Sequence, residues 1–513
     1  MARELLFSRF AGRQWAAVRE DGDVVELRVE EEGAALGVGQ VILGRVRRIL
    51  PGIQSAFVDV GQERDAFLHA ADLLLPGEVA TQEPAAAVAE PADPAEEEDA
   101  EPAARPRRGN ASREQPIERR LKEGQTLIVQ VARESMGSKG ARVTCAISLP
   151  GRYVVFTPQW PHIGVSRRIE DPDERTRLRA ILDAVPRDGG GLIVRTAGAG
   201  RPAQAFEADA ARLVDTWRGI RARASAAGAP AVLHADVDLP LRLLRDAPSA
   251  GVERIVFDDA GAYERARAFL DPLDGSLASR VRMHLGATPL FEAEGVEAEI
   301  ERALRPKVWL KSGGTLVIQP TEALVSVDVN TGKYVGNKRP EETILRTNLE
   351  AADEIARQLR LRDLGGIVVI DFIDMDREES RNRVLEALEV ALRRDRARTK
   401  IVGISELGLV QLTRKRTRAG LQALLTSECP LCLGHGRVKT PEILAGEALL
   451  ELRRIAALAT EGALTVRAHP EVARAVRRAL QRESATAGDD VAPRVVVEDD
   501  AAARPDGFEV YAF

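Results

Sequence analysis

Two apolar runs that each carry aspartate bracket one long helical pattern, and this constrains the chain more than any other feature. PTEALVSVDVN holds Asp328, and IVVIDFIDMD holds Asp371 and Asp374. The stretch between them, PEETILRTNLEAADEIARQLRLRDLGG, opens with Pro340 and two glutamates. Its apolar residues recur at Leu345, Leu349, Ala352, Ala356 and Leu359, and Gly365 follows its end. Proline and acidic residues suit the first turn of a helix, and glycine suits its exit. Strand, helix, strand is the crossover of an α/β sheet, whose ligands bind outside the carboxyl ends of the strands. Strands joined this way can lie side by side, so Asp328 and Asp371 can face one crevice.

An aspartate on an apolar strand is costly unless something pairs with it. A hard divalent cation does so. Magnesium takes one or two carboxylates and fills its remaining positions with water and substrate phosphate. Asn330, two residues after Asp328, falls on the same face and can orient it. The plainer alternative is that these aspartates cap strand ends and bond to loop amides. NTGKYVGNKRPEE supplies Lys333, Lys338 and Arg339, and RRDRART supplies Arg396 and Arg398. Basic residues beside a carboxylate pair suit a polyanionic substrate, although a solvated basic face at a helix C-terminus has the same composition. None of the six histidines stands in a pattern for nucleophilic catalysis.

A chain of 513 residues exceeds one hydrophobic core and predicts several domains. No apolar run reaches the roughly 18 residues of a membrane span, and the N-terminus lacks a signal-peptide core. The expected setting is the cytoplasm. The formal charge of −6 argues against nucleic acid only superficially. Residues 78–101 hold nine acidic residues and no Lys or Arg; without them, 70 acidic face 73 basic residues. The surrounding stretch 78–110, rich in Ala, Pro and Glu, reads as a disordered insertion.

On both sides of that insertion the sequence alternates apolar and polar residues in short strands. A small OB-type barrel is expected. Phe57 and Phe67 fall in these strands, with Arg45, Arg47, Arg48 and Lys139 in the same segments. Aromatics beside cations stack and hold single-stranded nucleic acid; a place for both rings in the barrel core fits the pattern equally well. Further on come GVSRRI, a helix over DPDERTRLRAILDAV, a strand over GLIVRTAG and a helical pattern from 203 to 228. The tail adds a helix over ILAGEALLELRRIAALA and a strand–helix–strand unit ending in FEVYAF.

Three cysteines do not make a disulfide framework. Cys145 sits in ARVTCAISL as an ordinary packed strand residue. Cys429 and Cys432, in SECPLCLGHGRVKT, form half a zinc site, because structural zinc takes four ligands. His435 is adjacent, but its spacing from Cys432 is tight for a third ligand. A second chain donating its own pair across a two-fold axis completes the set, and a redox CxxC is the alternative.

Long, specific strings then identify a family. QSAFVDVG, GVSRRI, GLIVRTAG, PTEALVSVDVN, NLEAADEIARQLRLRDLGGIVVIDFIDM, RRDRAR and CPLCLGHG resemble the ribonuclease E/G family along nearly the whole chain. The short stretch after the CxxC makes it more like the short form, without the scaffold tail that recruits other decay enzymes. The resemblance implies an α/β multidomain protein. Residues 1–36 and 241–303 would form an RNase H-like domain interrupted by an OB-fold barrel at 37–147, with a 5′-end sensor domain at 148–240. A DNase I-like catalytic domain at 304–425, a zinc link at 426–440 and a small α/β dimerisation domain at 441–513 would follow. The acidic insertion departs from the family core.

The resemblance also implies residue roles. Asp328 and Asp371 would bind Mg2+, with Asn330 supporting them and Arg398 holding the RNA backbone near the cut. Arg195 and Thr196 would receive a 5′-monophosphate, in a pocket shaped by Val155 and Arg167. Phe57, Phe67 and Lys139 would clamp RNA, and Cys429 and Cys432 would bind Zn2+ shared between two chains of a homodimer or of a homotetramer. The implied activity is hydrolysis of single-stranded, A/U-rich RNA, stimulated by a 5′-monophosphate and leaving 3′-hydroxyl and 5′-phosphate ends. The implied tasks are rRNA processing and mRNA decay. A non-catalytic RNA-binding assembly protein with structural carboxylates is the rival expectation, and a DNA-cutting phosphodiesterase a third.

Overall fold

The computed structural model describes every residue except 1, 32–36, 76–115, 136–139, 248–250, 333–339, 417, 433, 458–462, 487–494 and 513. The acidic insertion 78–110, Lys139, Lys333, Lys338 and Arg339 therefore lie outside the described residues. The chain forms two compact units, 1–424 and 425–513, each described by itself. No helix among the described residues is long and apolar enough to cross a membrane.

The first unit starts with an antiparallel meander, Arg3–Phe10, Arg13–Glu20 and Asp23–Glu31. Val252–Phe257 then adds parallel to the first strand, and Val281–Met283 adds beyond it. One sheet is thus built from two stretches more than two hundred residues apart, with other structure inserted between them. The first insertion is the expected barrel. Val41–Leu50, Ser55–Asp59, Ala66–His69, Arg142–Thr144 and Thr126–Arg133 follow one another, and the first pairs with the last to close the ring. Val46, Ala56, Val58, Leu68, Val129 and Val143 fill its interior. Cys145 is buried there too, one residue beyond the strand Arg142–Thr144 rather than inside it. The next sheet orders Ile163–Val165, Gly191–Val194, Val154–Thr157 and Leu149–Pro150. It shares a core with the helices Pro172–Ala184 and Ala203–Ala226 through Leu178, Leu182, Phe206 and Ala210.

The last sheet of this unit orders Lys307–Trp309, Thr315–Pro320, Leu324–Asn330, Gly366–Asp371, Val410–Arg414 and Thr399–Ile404. The crossover is the helix Pro340–Leu361, which stops four residues before the expected Gly365. It and the helix Glu378–Leu392 cover one face of the sheet, packing Ile355, Leu359 and Leu388 against Val327, Val368 and Ile370. Burying a side chain such as Ile355 contributes about 1.5–3 kcal/mol. Among the described residues, the other face carries no helix of this core. The crossover helix is also clamped to the first sheet: Arg360 donates to both oxygens of Glu20, at 3.0 and 3.1 Å, and Arg357 donates to the Val24 carbonyl at 2.8 Å. Arg360 and Glu20 are both buried, and stripping one partner from such a pair costs about 3–5 kcal/mol.

The second unit packs the helices Pro441–Ala456 and Pro470–Thr486 against a three-stranded sheet. The expected strand–helix–strand gains one strand. Val495–Asp499 pairs parallel with Leu464–Ala468, while Phe508–Ala512 pairs with the same strand from its other side.

Candidate functional site

Asp328 and Asp371 are direct partners in the parallel register of Leu324–Asn330 with Gly366–Asp371. Side chains of register partners project to the same face of a sheet, and alternate residues to opposite faces. Val327, Val329 and Ile370 turn to the helices and are buried, so Asp328 and Asp371 emerge together on the open face. Neither carboxylate has to pay for burial. Asn330 Nδ2 donates to Asp328 Oδ2 at 2.7 Å, the role its i+2 position implied. Two adjacent exposed carboxylates, one of them oriented by an amide, fit a magnesium ion that keeps most of its waters. No group of three or more His, Cys, Asp or Glu poised for a metal occurs among the described residues. A two-carboxylate magnesium site does not need one.

The buried strand expected over IVVIDFIDMD stops at Asp371. Ile373 to Asp376 form a loop, so Asp374 stands in a cleft with Asp376 and Arg381 and not in the register of the pair. What holds that loop was not foreseen. Asn348, fully buried on the crossover helix, donates to the Ile373 carbonyl at 2.8 Å and accepts from its N–H at 3.1 Å. The signal available in the sequence was its place on the apolar stripe, between Leu345 and Ala352, where an amide must find partners.

The arginines of RRDRART do not gather at the carboxylates. Asp395 anchors that segment, accepting from the buried Arg414 at 2.7 Å. Arg396 is drawn inward. Burial depresses its pKa, while the charges of Glu26 and Asp246 oppose the shift. Arg398 precedes Thr399, which lies in register with Arg414 and thence with Gly366, the far end of the Asp371 strand. At about 3.3 Å per residue this sets Arg398 roughly 20 Å along the strands from Asp371. Its carbonyl accepts from the Lys415 N–H at 2.9 Å. Lys415 is depressed by burial and then by the charges of Arg133, on the barrel, and Arg398. These three cations form a separate basic cluster between barrel and sheet.

On the barrel, Phe57 and Phe67 are register partners with rings 6.3 Å apart, edge to face. Both are half-buried and alternate with buried Ala56, Val58, Ala66 and Leu68, so they lie on the outer surface and not in the core. The same register joins Arg48 to Phe57 and Phe67 to Arg142. A row of cation, ring, ring, cation crosses four strands. Arg142 had no signal in the sequence, because its partner in the row is seventy-five residues away.

In the 148–240 region GLIVRTAG ends its strand at Val194, and Thr196–Gly198 is a single helical turn. The strand runs parallel to Ile163–Val165, so GVSRRI and GLIVRTAG finish side by side. Thr196 Oγ1 lies 3.2 Å from Ser166 Oγ, and Thr196 and Arg167 are both exposed. Arg195 donates to the Gly151 carbonyl at 2.6 Å and to Asp246 Oδ1 at 2.7 Å. Burial alone would raise the Asp246 carboxyl, but the charges of Arg195 and Arg245 hold it below its usual value. Val155 is buried with Ile193, and the partly buried Trp160 packs against them.

In the second unit the Gly436 N–H points at Cys432 Sγ from 3.3 Å, and Gly434 and Gly436 adopt positive φ. Cys429 is exposed. The backbone N–H groups of Cys432 and Leu431, then the Cys432 thiol, hold its pKa below the ordinary thiol value. A thiol stabilised as thiolate by N–H donors fits a zinc ligand. His435 is exposed on the following turn, its N–H bonded to the Cys432 carbonyl.

An exposed carboxylate pair, an aromatic row between arginines and an arginine–hydroxyl pocket are together the features of a multidomain α/β protein that handles nucleic acid. Comparison with known proteins sharpens this. Residues 148–417 match the model of the Ribonuclease E/G family. Ribonuclease G of Haemophilus influenzae is 40% identical over 471 residues, covering 92% of this chain and 91% of that protein. Ribonuclease G of Escherichia coli K12 is 40% identical over 477 residues, covering 93% of each. Ribonuclease E of a Nostoc species is 39% identical over 430 residues, 82% of this chain but 57% of that longer protein. The chain belongs to the ribonuclease E/G family.

Proposed function

We infer that this chain is an endoribonuclease that cuts single-stranded RNA with magnesium held between Asp328 and Asp371. The observation that carries the reading is their direct register on an open sheet face, with the Asn330 amide on Asp328. Family membership and 40% identity to two ribonucleases G support the reaction class.

Bound there, magnesium would supply an activated water and charge stabilisation at the scissile phosphate. The chain's own contribution is placement. Asn330 turns the Asp328 carboxylate, and Asn348 fixes the backbone just after Asp371. Phe57 and Phe67 offer faces to bases, with Arg48, Arg142 and Lys139 for the backbone, and Arg398 with Lys415 holds a phosphate farther along the strand. Arg195 and Thr196 receive a 5′-monophosphate, Arg167 adds charge, and Val155 limits the pocket. A/U-rich sites, 3′-hydroxyl and 5′-phosphate products, roles in rRNA processing and mRNA decay, and a cytoplasmic site of action follow from the family reading. So do Zn2+ at Cys429 and Cys432 and a homodimer joined through it.

Asp328→Asn and Asp371→Asn are expected to lower cleavage of a 5′-monophosphorylated oligonucleotide by about 100-fold or more, since each ten-fold is only about 1.4 kcal/mol. Binding without magnesium should persist. Cleavage by either variant at the wild-type rate overturns the site, and tight binding with no magnesium-dependent cleavage by the wild type supports the non-catalytic assembly reading instead.

A further inference from the structure

The open face of the catalytic sheet continues past the aspartates to its edge strand. There Lys307 is in register with Val317, and Val317 with Asp328; Trp309 is in register with Thr315, and Thr315 with Asn330. Register partners share a face, so Lys307 and Trp309 stand on the face that presents Asp328, Asn330 and Asp371. Neighbouring strands lie about 4.8 Å apart, which puts this edge about 10 Å from the Asp328 strand. Trp309 is 63% exposed, although Val308 between the two packs against the core. The Lys307 ammonium sits 4.6 Å from the centre of the Trp309 ring, so a cation and an aromatic face are offered together.

We propose that Trp309 and Lys307 form a base-stacking subsite for single-stranded RNA beside the scissile phosphate. The indole carries a base and the ammonium meets the adjoining phosphate. The subsite rests on the nuclease reading of Asp328 and Asp371, which it extends along the same face. Three features select RNA as the occupant. The pair shares the register rows of the carboxylates, the charge suits a phosphate, and an aromatic face with a cation is how single strands are held without sequence preference. A lysine on the edge strand also disfavours pairing with another strand, which counts against a protein partner.

The test uses the full chain and a 2′-O-methyl oligonucleotide, with magnesium omitted so that nothing is cut. Binding is expected to quench indole emission, and Trp309→Ala to remove that quench and raise Kd about ten-fold. Trp309→Phe should bind within about three-fold of wild type, since it keeps a ring face. An abasic oligonucleotide should bind wild type and Trp309→Ala alike. Lys307→Met should lower the salt dependence by about one ion. With cleavable RNA and magnesium, Trp309→Ala should raise KM and leave kcat within about three-fold, because the ring does not touch the reacting atoms. An unchanged Kd in Trp309→Ala overturns the subsite, as does a change of mass by light scattering without a change in Kd. If the wild type fails to cleave RNA with magnesium, the carboxylate reading falls, and the binding measurements still decide the subsite.

Discussion

The Arg195 guanidinium lies 2.7 Å from the Asp246 carboxylate and 2.6 Å from the Gly151 carbonyl. The same Asp246 acts on Arg396, in the segment that runs from the helix Glu378–Leu392 towards Arg398. One carboxylate therefore orients the arginine proposed to read the 5′ end and also acts by its charge on Arg396. Its depressed pKa keeps it ionised at neutral pH.

Asp246→Asn should weaken that grip. Loss of one charge-assisted hydrogen bond is worth about 1.5–3 kcal/mol, so stimulation by a 5′-monophosphate should fall roughly 10- to 100-fold. The rate on a 5′-hydroxyl oligonucleotide should not change. Arg195→Lys should fall between the two, because lysine keeps the charge and loses the planar fork. Equal loss on both substrates would show that Asp246 acts on the catalytic sheet and not on end sensing.

Asn348→Ala removes both partners of the Ile373 backbone and leaves them unsatisfied. The fold should lose about 1–3 kcal/mol, read from urea midpoints. A merely structural role ends there. A positioning role for Asp371 also lowers kcat with little change in KM, and raises the magnesium concentration needed for half-maximal rate.

For the CxxC, metal analysis is expected to find half a zinc per chain, as a site shared by two chains requires. Chelation or Cys429→Ser should halve the mass seen by light scattering. A full zinc per chain, or a Cys429→Ser protein that keeps its mass, would sink the shared site.

Acid should act through Glu26. Burial pushes its carboxyl up, but the charges of Arg28 and Arg396 outweigh this and hold it down at about 2, against an ordinary value of 4.5. A folded-state pKa below the unfolded one gives stability that is complete above 4.5 and is lost as pH falls towards 2. Glu26→Gln should therefore flatten the fall in stability across that window, measured as urea midpoints against pH. An unchanged slope would mean that other carboxylates dominate.

The sequence alone determined a good deal. Strand, amphipathic helix and strand around Asp328 and Asp371 are written in local periodicity, and a crossover of that length makes adjacent parallel strands the natural outcome. The interrupted barrel, the CxxC and the family also follow from residues close together in the chain. Only the tertiary structure decided which side chains share a face. The row of Arg48, Phe57, Phe67 and Arg142 depends on pairing between strands far apart in sequence, which also took both rings out of the core. Arg398 looked like a neighbour of the carboxylates, but antiparallel pairing carried it to the far end of the sheet. Packing buried Asn348 on the crossover helix and left the Ile373 backbone as its partner. Periodicity encodes which face of an element is apolar, whereas long-range register, set by the packing of the whole sheet, encodes what that face meets.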